Sequence, residues 1–199
     1  MGENILEYFE QVGALFSKVQ VTDNNRKPID LPGALSAAID LIIAQSSERR
    51  KVIFIGNGGS AAIASHQAID YWKAGGMRAI AFNDSSLLTC ISNDFGYQQV
   101  FAKPIEMFAE AGDILMAISS SGRSENILFA VNAARQKGCE IITMSGFFPD
   151  TPLRLTGDLN FYVPSQSYGH VEIVHLTLCH CILDSIISRR SLGLGFAKP

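Results

Sequence analysis

The sequence contains no long run of basic residues, which argues against nucleic acid as its main ligand. Lysine and arginine number 16 against 19 aspartate and glutamate residues, and the formal net charge is −3 at pH 7. The longest basic stretch is Arg49-Arg50-Lys51. Proteins that bind nucleic acid phosphates usually carry a basic patch or stripe. We therefore expect no nucleic-acid partner.

The sequence also lacks the patterns of a secreted or membrane protein. Its first residues, Met1 to Glu7, include acids where a signal peptide has a basic segment followed by an apolar one. An uninterrupted apolar run of about eighteen residues, the length that spans a bilayer, is missing too. We therefore expect a cytoplasmic protein with no membrane partner.

Cysteine is scarce, and its four copies do not have the spacing of a zinc motif. They lie in apolar stretches, which predicts small buried side chains in a reducing compartment. These residues are Cys90, Cys139, Cys179 and Cys181. Because residues two apart on a helix do not face the same side, we do not expect Cys179 and Cys181 to clip a metal together.

What is present fits one globular domain with an N-terminal addition. The chain has 199 residues, 47% of them hydrophobic, enough to bury a core without disulfide or metal links. Apolar residues recur with helical spacing from Glu3 to Val19, and the polar segment Thr22–Pro28 follows. We expect a helical arm at residues 1–30, a main domain at 31–190 and a flexible tail at 191–199.

Short apolar runs alternate with helical segments along the main domain. The runs that predict strands are Val52–Ile55, Arg78–Phe82, Asp113–Ile118, Glu140–Thr143 and Leu159–Val163. The segments that predict helices are Pro32–Ser46, Ala61–Lys73, Ser85–Ser92, Tyr97–Phe108, a stretch ending near Lys137, and Tyr168–Ser188. This order predicts an α/β fold, a three-layer αβα sandwich around a five-stranded parallel sheet.

The first predicted strand ends in the glycine-rich loop Gly56-Asn57-Gly58-Gly59-Ser60. Ligands of parallel sheets bind outside the carboxyl ends of the strands, and glycines let the backbone approach them closely. Two other interpretations stay open. The glycines can serve only a tight turn, or Gly56-x-Gly58-x-x-Ala61 with Asp84 can be the dinucleotide fingerprint of an oxidoreductase.

A second loop at a strand end is rich in serine. Ser119-Ser120-Ser121-Gly122-Arg123-Ser124 offers four hydroxyls and a glycine where a helix begins. Hydroxyls and free amides at a helix N-terminus bind phosphate without a lysine. Serine also caps helices, but a cap uses one serine and this loop has four. The loop therefore predicts a phosphate site.

Histidines and acids on two predicted helices form a possible metal site. His66 and Asp70 lie four residues apart and share a helix face, while Glu172, His175 and His180 lie on the last helix. Histidines on apolar helices are often ordinary core residues, which is the alternative interpretation. Two imidazoles and two carboxylates would suit a divalent ion such as zinc.

Four segments together resemble the sugar isomerase (SIS) domain family, and within it the phosphoheptose isomerases. They are Gly56–Ser60, Ser92–Tyr97, Ala111–Asp113 and Ile118–Ser124. The resemblance runs from the N-terminal helix to about Arg190. It implies the flavodoxin-like sandwich of SIS domains and a phosphorylated sugar as ligand, without a nucleotide cofactor.

The resemblance also implies roles for individual residues. The positions that match His66, Asp70, Glu172 and His180 hold His, Glu, Gln and His in phosphoheptose isomerases, where they bind zinc. The Glu and the last His there also transfer protons, so Asp70 and His180 become the implied catalytic pair. Asp70 is one methylene shorter than Glu, and Glu172 adds a charge that Gln lacks.

The implied substrate-binding residues come from both loops, from the segment between two predicted helices and from the last predicted helix. They are Asn57, Gly58, Gly59, Asn93, Asp94, Ser119, Ser120, Ser121, Ser124 and Glu172. In this interpretation the serines hold the phosphate, and Asn57, Asn93 and Asp94 orient the sugar hydroxyls.

The function implied is aldose–ketose isomerisation, of sedoheptulose 7-phosphate to D-glycero-D-manno-heptose 7-phosphate or a close variant. Metal-assisted proton transfer would pass through an enediol, in a homotetramer with sites at subunit interfaces. The same family supplies an alternative, a non-catalytic binding protein resembling the DnaA-binding replication-initiation regulator. The chain resembles that regulator at Ser60-Ala61-Ala62 but retains His180, where the regulator lacks the histidine.

Overall fold

A seven-stranded sheet between helices forms the body of the computed structural model, which describes residues 5–192. The strands are β1 (Gln20–Asp23), β2 (Pro28–Ile29), β3 (Val52–Gly56), β4 (Ala79–Ala81), β5 (Ile114–Ser119), β6 (Glu140–Ser145) and β7 (Leu159–Tyr162). The helices are α1 (Ile5–Phe16), α2 (Leu31–Ser47), α3 (Gly59–Lys73), α4 (Ser85–Phe95), α5 (Ala102–Phe108), α6 (Glu125–Gln136) and α7 (Tyr168–Ser191). The predicted αβα sandwich is confirmed.

The five predicted strands are β3 to β7, and they pair in parallel in the order β4-β3-β5-β6-β7. This is the flavodoxin-like order. The second parallel strand is added on one side of the first, and all later strands are added on its other side. Each of the central strands is buried on both faces, which explains why its sequence is continuously apolar instead of alternating.

The prediction of five strands was wrong as a count, because the N-terminal segment adds two more. β1 pairs antiparallel with β7 and with β2, so part of residues 1–30 is a hairpin and not a helical arm. The polar segment after residue 22 is the turn of that hairpin, where Asp23 accepts hydrogen bonds from two backbone amides. Strands of four and two residues are too short for an alternating pattern to show in the sequence. Most of the predicted tail, residues 193–199, lies outside the described residues.

Two apolar clusters cover the two faces of the sheet. Val52 and Phe54 of β3 point to the face covered by α2, α3 and α7, whereas Ile53 and Ile55 point to the face covered by α5 and α6. α7 is long and apolar enough to cross a membrane by length and composition alone. A core helix passes the same test, and eight residues of α7 are buried in this domain.

The buried carboxylate of Asp113 joins the amino ends of neighbouring strands. It accepts hydrogen bonds from the backbone amides of Lys51, at 2.9 Å, and Glu110, at 2.7 Å. Its other contact is the Lys51 ammonium at 2.6 Å, and the Asp113 side chain is 0% exposed. Since Lys51 precedes β3 and Asp113 precedes β5, this carboxylate aligns the two strands whose opposite ends form the site described below.

We predict that Asp113→Ala lowers the free energy of unfolding by about 3 kcal/mol, because it leaves two amides without their acceptor and removes the nearer of the two carboxylates beside the partly buried Lys51 ammonium. Urea denaturation followed by circular dichroism measures the change. Asp184→Ala removes an exposed carboxylate from α7 and serves as the control, with a change within about 0.5 kcal/mol. Equal midpoints for the two variants would contradict the proposed alignment.

Candidate functional site

The glycine-rich and serine-rich loops meet at the carboxyl end of the sheet. They follow β3 and β5, which are neighbours, and Gly56 at the end of β3 pairs with Ile118, one residue before the end of β5. The chain order reverses at this pair, and a crevice forms at such a switch point. One cavity of about 360 Å³ lies between the loops and the start of α7. Its lining residues are Asn57, Gly58, Gly59, Ser60, Ser119, Ser120, Ser121, Ser124, Tyr168 and Glu172.

Eight of the ten predicted substrate-binding residues line this cavity, and Asn93 and Asp94 do not. Both lie exposed near the end of α4, where the Asn93 amide donates to the Asp94 carboxylate at 2.8 Å. Their role in binding therefore stays a prediction. Ser60 and Tyr168 line the cavity although they were outside the predicted set. Ser60 follows the glycines directly, whereas the place of Tyr168 depends on how α7 packs.

The glycines of the first loop allow more than a turn. Gly58 has a φ of +54° at the start of α3, a left-handed conformation that favours glycine. The Glu172 carboxylate occupies the place that a β-carbon at Gly59 would need, so a larger residue there would displace this flexible side chain. The loop therefore lets a side chain of α7 enter the cavity from the opposite wall.

The serine loop is held by its own backbone and keeps hydroxyls available. Gly122, with a φ of +61°, donates its N–H to both the carbonyl and the hydroxyl of Ser119. Ser124 occupies the cap position of α6 without making a side-chain capping bond. The Ser120 hydroxyl is buried and has no hydrogen-bond partner among the described residues. A buried hydroxyl without a partner at the wall of a cavity fits a ligand that accepts hydrogen bonds.

Helix N-termini, and not basic side chains, are the positive ends that border the cavity. Among residues 5–192, no lysine or arginine lines it. Arg123 instead pairs with Asp150 at 3.6 Å and lies over the Phe148 ring at 6.0 Å. α3, α6 and α7 all begin beside the cavity, at Gly59, Glu125 and Tyr168. Their N-terminal amides carry partial positive charge, so the cavity suits an anion such as a phosphate group.

Asp84, the acidic residue that the dinucleotide interpretation requires at the ligand, has a different role in the structure. Asp84 is the cap of α4, and one carboxylate oxygen accepts from the backbone amides of Ser86 and Leu87 at 3.0 Å each. Asp84 does not line the cavity between the loops. Helix capping therefore explains why an aspartate occupies this position.

Three of the four predicted metal ligands come together between α3 and α7. His66 Nε2 lies 3.2 Å from Asp70 Oδ2, and the rings of His66 and His180 are 5.3 Å apart. One ligand atom from each of these three residues lies within 4.8 Å of the others. Two imidazoles and a carboxylate match the donor set of zinc sites, and the group is open to solvent, so the residues fit a divalent ion.

Glu172, the fourth predicted ligand, belongs to the cavity wall and is not part of this group. It precedes His180 by eight residues, which is about 12 Å along the axis of α7. Its role in metal binding therefore stays a prediction. α7 nevertheless joins the two parts of the site, because Glu172 lies at the cavity and His180 lies at the group of ligands.

His175 is an ordinary core histidine, which was the alternative to a role in metal binding. Its side chain is fully buried, and Nε2 donates to the Ser145 carbonyl at 3.1 Å. Burial lowers the pKa of His175 to about 4 and keeps the ring neutral at physiological pH. Of the cysteines, Cys139 and Cys179 are buried as predicted, but Cys90 and Cys181 are exposed, because apolar neighbours in sequence do not decide which side of a helix faces inward.

Comparison with known proteins identifies the family. The model of the SIS domain family matches residues 7–146. The phosphoheptose isomerase of Citrifermentans bemidjiense is 34% identical over 163 residues, covering 79% of this chain and 84% of that protein. That of Aromatoleum aromaticum is 35% identical over 179 residues, covering 84% and 90%. The chain belongs to the phosphoheptose isomerase group of the SIS domain family.

Solved structures agree with this assignment of the SIS domain. The phosphoheptose isomerase from Neisseria gonorrhoeae superimposes with a TM-score of 0.78 at 29% identity, covering 92% of this chain and 97% of that one. The phosphoheptose isomerase from Francisella tularensis gives a TM-score of 0.77 at 27% identity, covering 92% and 96%. The resemblance inferred from the four sequence segments is confirmed.

We predict that Ser120→Ala weakens the binding of inorganic phosphate to this SIS domain by about tenfold or more, because the lost hydroxyl donates to a charged acceptor. Isothermal titration measures the dissociation constant. Ser47→Ala, at the exposed end of α2, is the control and leaves the constant unchanged. Unaltered affinity in Ser120→Ala would show that the anion does not bind at this loop.

Proposed function

We propose that this SIS domain is a sugar-phosphate aldose–ketose isomerase that acts on sedoheptulose 7-phosphate or a close variant, forming D-glycero-D-manno-heptose 7-phosphate. The similar proteins named above support the substrate class. One structural observation carries the proposal. The Asp70 carboxylate and the imidazoles of His66 and His180 lie on α3 and α7. The N-termini of the same two helices border the cavity that the serine hydroxyls line.

Isomerisation through an enediol requires one base and one acid at adjacent carbons. In the proposed mechanism Asp70 removes the proton from the carbon next to the carbonyl, and His180 delivers a proton to the oxygen on which negative charge develops. Asp70 then returns the proton to the neighbouring carbon while the hydroxyl on the first carbon gives its proton to His180, which forms the new carbonyl and restores both groups. The contact of 3.2 Å between His66 and Asp70 supports this role, since it orients the carboxylate.

The residues that would hold a divalent metal are His66, Asp70 and His180, with Glu172 as the further candidate. Such an ion, when bound, polarises the carbonyl and hydroxyl oxygens of a sugar. The carboxylate of Asp70 is one methylene shorter than the Glu of other phosphoheptose isomerases. We therefore expect the sugar to lie closer to α3 in this protein.

The phosphate binds, in this proposal, to the serine loop. Ser119, Ser120, Ser121 and Ser124 donate hydroxyl protons, and the amides at the start of α6 add their partial charge. Asn57, Asn93 and Asp94 orient the sugar hydroxyls. Glu172 carries a negative charge in the same cavity, so we place the phosphate at the serine wall and the sugar carbons toward Glu172.

The proposed assembly is a cytoplasmic homotetramer whose sites combine residues of neighbouring subunits. Two observations support it. α1 exposes large apolar side chains, with Ile5 75% and Phe9 65% accessible to solvent. Asn93 and Asp94 lie outside the cavity of their own chain, so a neighbouring subunit would supply them.

The binding-protein alternative resembles the DnaA-binding regulator and predicts contact without turnover. The proximity of Asp70, His66 and His180 favours the enzyme, because a protein that acts only by contact does not need an acid beside two imidazoles. The two functions differ in one measurable property, turnover of a sugar phosphate.

We predict that Asp70→Asn and His180→Gln each lower kcat for sedoheptulose 7-phosphate isomerisation on the order of a thousandfold, the usual contribution of a general acid or base. NMR of the sugar, with and without added zinc, follows the reaction. The control is Asp184→Asn, an exposed residue of α7 that keeps wild-type turnover. If both variants stay active on every five- to seven-carbon ketose phosphate, the assignment of the pair is wrong. If the wild type turns over none of them, the regulator alternative is favoured.

We also predict that Phe9→Glu dissociates the tetramer and lowers turnover in parallel, because it places a charge in the apolar face of α1. Light scattering coupled to size exclusion measures the mass. Gln11→Glu adds the same charge about 200° around the helix and leaves the mass unchanged. A tetramer in both variants would show that α1 does not form the interface.

A further inference from the structure

The two loops of the site are joined by a reciprocal pair of side-chain amides. Asn57 Nδ2 donates to Asn126 Oδ1 at 2.8 Å, and Asn126 Nδ2 donates to Asn57 Oδ1 at 2.8 Å. The Tyr97 hydroxyl donates to the same Asn57 oxygen at 3.1 Å. Asn57 belongs to the glycine-rich loop, and Asn126 to the first turn of α6, which the serine loop leads into.

These contacts leave Asn57 little capacity for a ligand. An amide oxygen has two lone pairs, and both are occupied by Asn126 and Tyr97. The amide nitrogen has two protons, and one is donated to Asn126. One N–H of Asn57 is therefore available at the cavity, in an orientation that Asn126 determines.

Burial makes this pair difficult to replace by water. Asn126 is only 3% exposed, and its amide bonds to Asn57 across the gap between the ends of β3 and β5. A buried side-chain amide that loses its hydrogen-bond partner destabilises the folded state. The paired geometry is therefore strongly preferred.

We propose that Asn126 is a positioning residue for the sugar phosphate, acting through Asn57; this inference rests on the proposed function of the site. The groups that can donate to an anion in this cavity are neutral amides and hydroxyls, since no described lysine or arginine lines it. Such donors bind well only when they are already held in place, because ordering them at the moment of binding costs entropy. The Asn57–Asn126 pair holds the glycine-rich and serine-rich walls at a constant separation.

The test is a double-mutant cycle read by titration of inorganic phosphate. We expect Asn126→Ala to weaken phosphate binding about tenfold, although Asn126 itself does not line the cavity. Asn57→Ala should weaken it at least as much, because it breaks the same pair and frees the glycine-rich wall, although Asn57 itself faces the sugar and not the phosphate. The variant with both substitutions should bind no more weakly than Asn57→Ala alone, because Asn126 acts through Asn57. Effects that multiply, or an Asn126→Ala variant that binds like the wild type, would overturn the proposal.

Two further variants separate positioning from general loss of structure. Asn132→Ala, at an exposed position of the same helix, should leave phosphate affinity unchanged. Asn126→Leu retains most of the side-chain volume and should weaken phosphate binding as Asn126→Ala does. Should both substitutions at Asn126 prevent folding, NMR of the wild type decides. Slowly exchanging side-chain amide protons of Asn57 and Asn126 support the pair, and rapid exchange with solvent overturns it.

Kinetics test the inference and the proposed function separately. With sedoheptulose 7-phosphate, Asn126→Ala should raise KM about tenfold and change kcat much less, whereas Asp70→Asn lowers kcat. A wild type without isomerase activity would refute the proposed function. The phosphate titrations do not depend on turnover, so in that case they still decide whether Asn126 positions the loop.

Discussion

The parallel pairing of β3 with β5 is the constraint on which the site depends. These strands are neighbours in space although the chain places β4 and the three helices α3, α4 and α5 between them. Their pairing brings the glycine-rich and serine-rich loops to one edge of the sheet, and buried Asp113 holds the other edge in register. The reciprocal amides of Asn57 and Asn126 join the loops directly. A slip of the β3–β5 register would separate the walls of the cavity.

The proposed phosphate site has no lysine or arginine among its described lining residues, so the proposal is compatible with a net charge of −3. The N-termini of three helices provide the positive potential, and the serine hydroxyls provide donors. Arg123, the basic residue of the serine loop, is directed to Asp150 instead. A cavity of this kind relies on geometry more than on charge, because neutral donors lose most of their value when they are not held in place.

The packing of α7 beside α3 decides which acids and histidines act together. Gly59 admits Glu172 to the cavity at one end of the contact, and His66 meets His180 farther along. His175 lies between these points on α7 but faces the core, where its ring donates a hydrogen bond to the Ser145 carbonyl. Three polar residues of one helix therefore have three different environments.

The sequence by itself determined the five parallel strands, the two ligand loops and the pairing of His66 with Asp70, because strand runs, glycine turns and helical spacing are local patterns. Tertiary structure alone decided the addition of β1 and β2, the entry of Glu172 beside Gly59, and the bond between Asn57 and Asn126. Residues 57 and 126 are 69 positions apart, and no local pattern specifies which distant amides will meet. That choice is made when the sheet orders its strands and the helices pack against it.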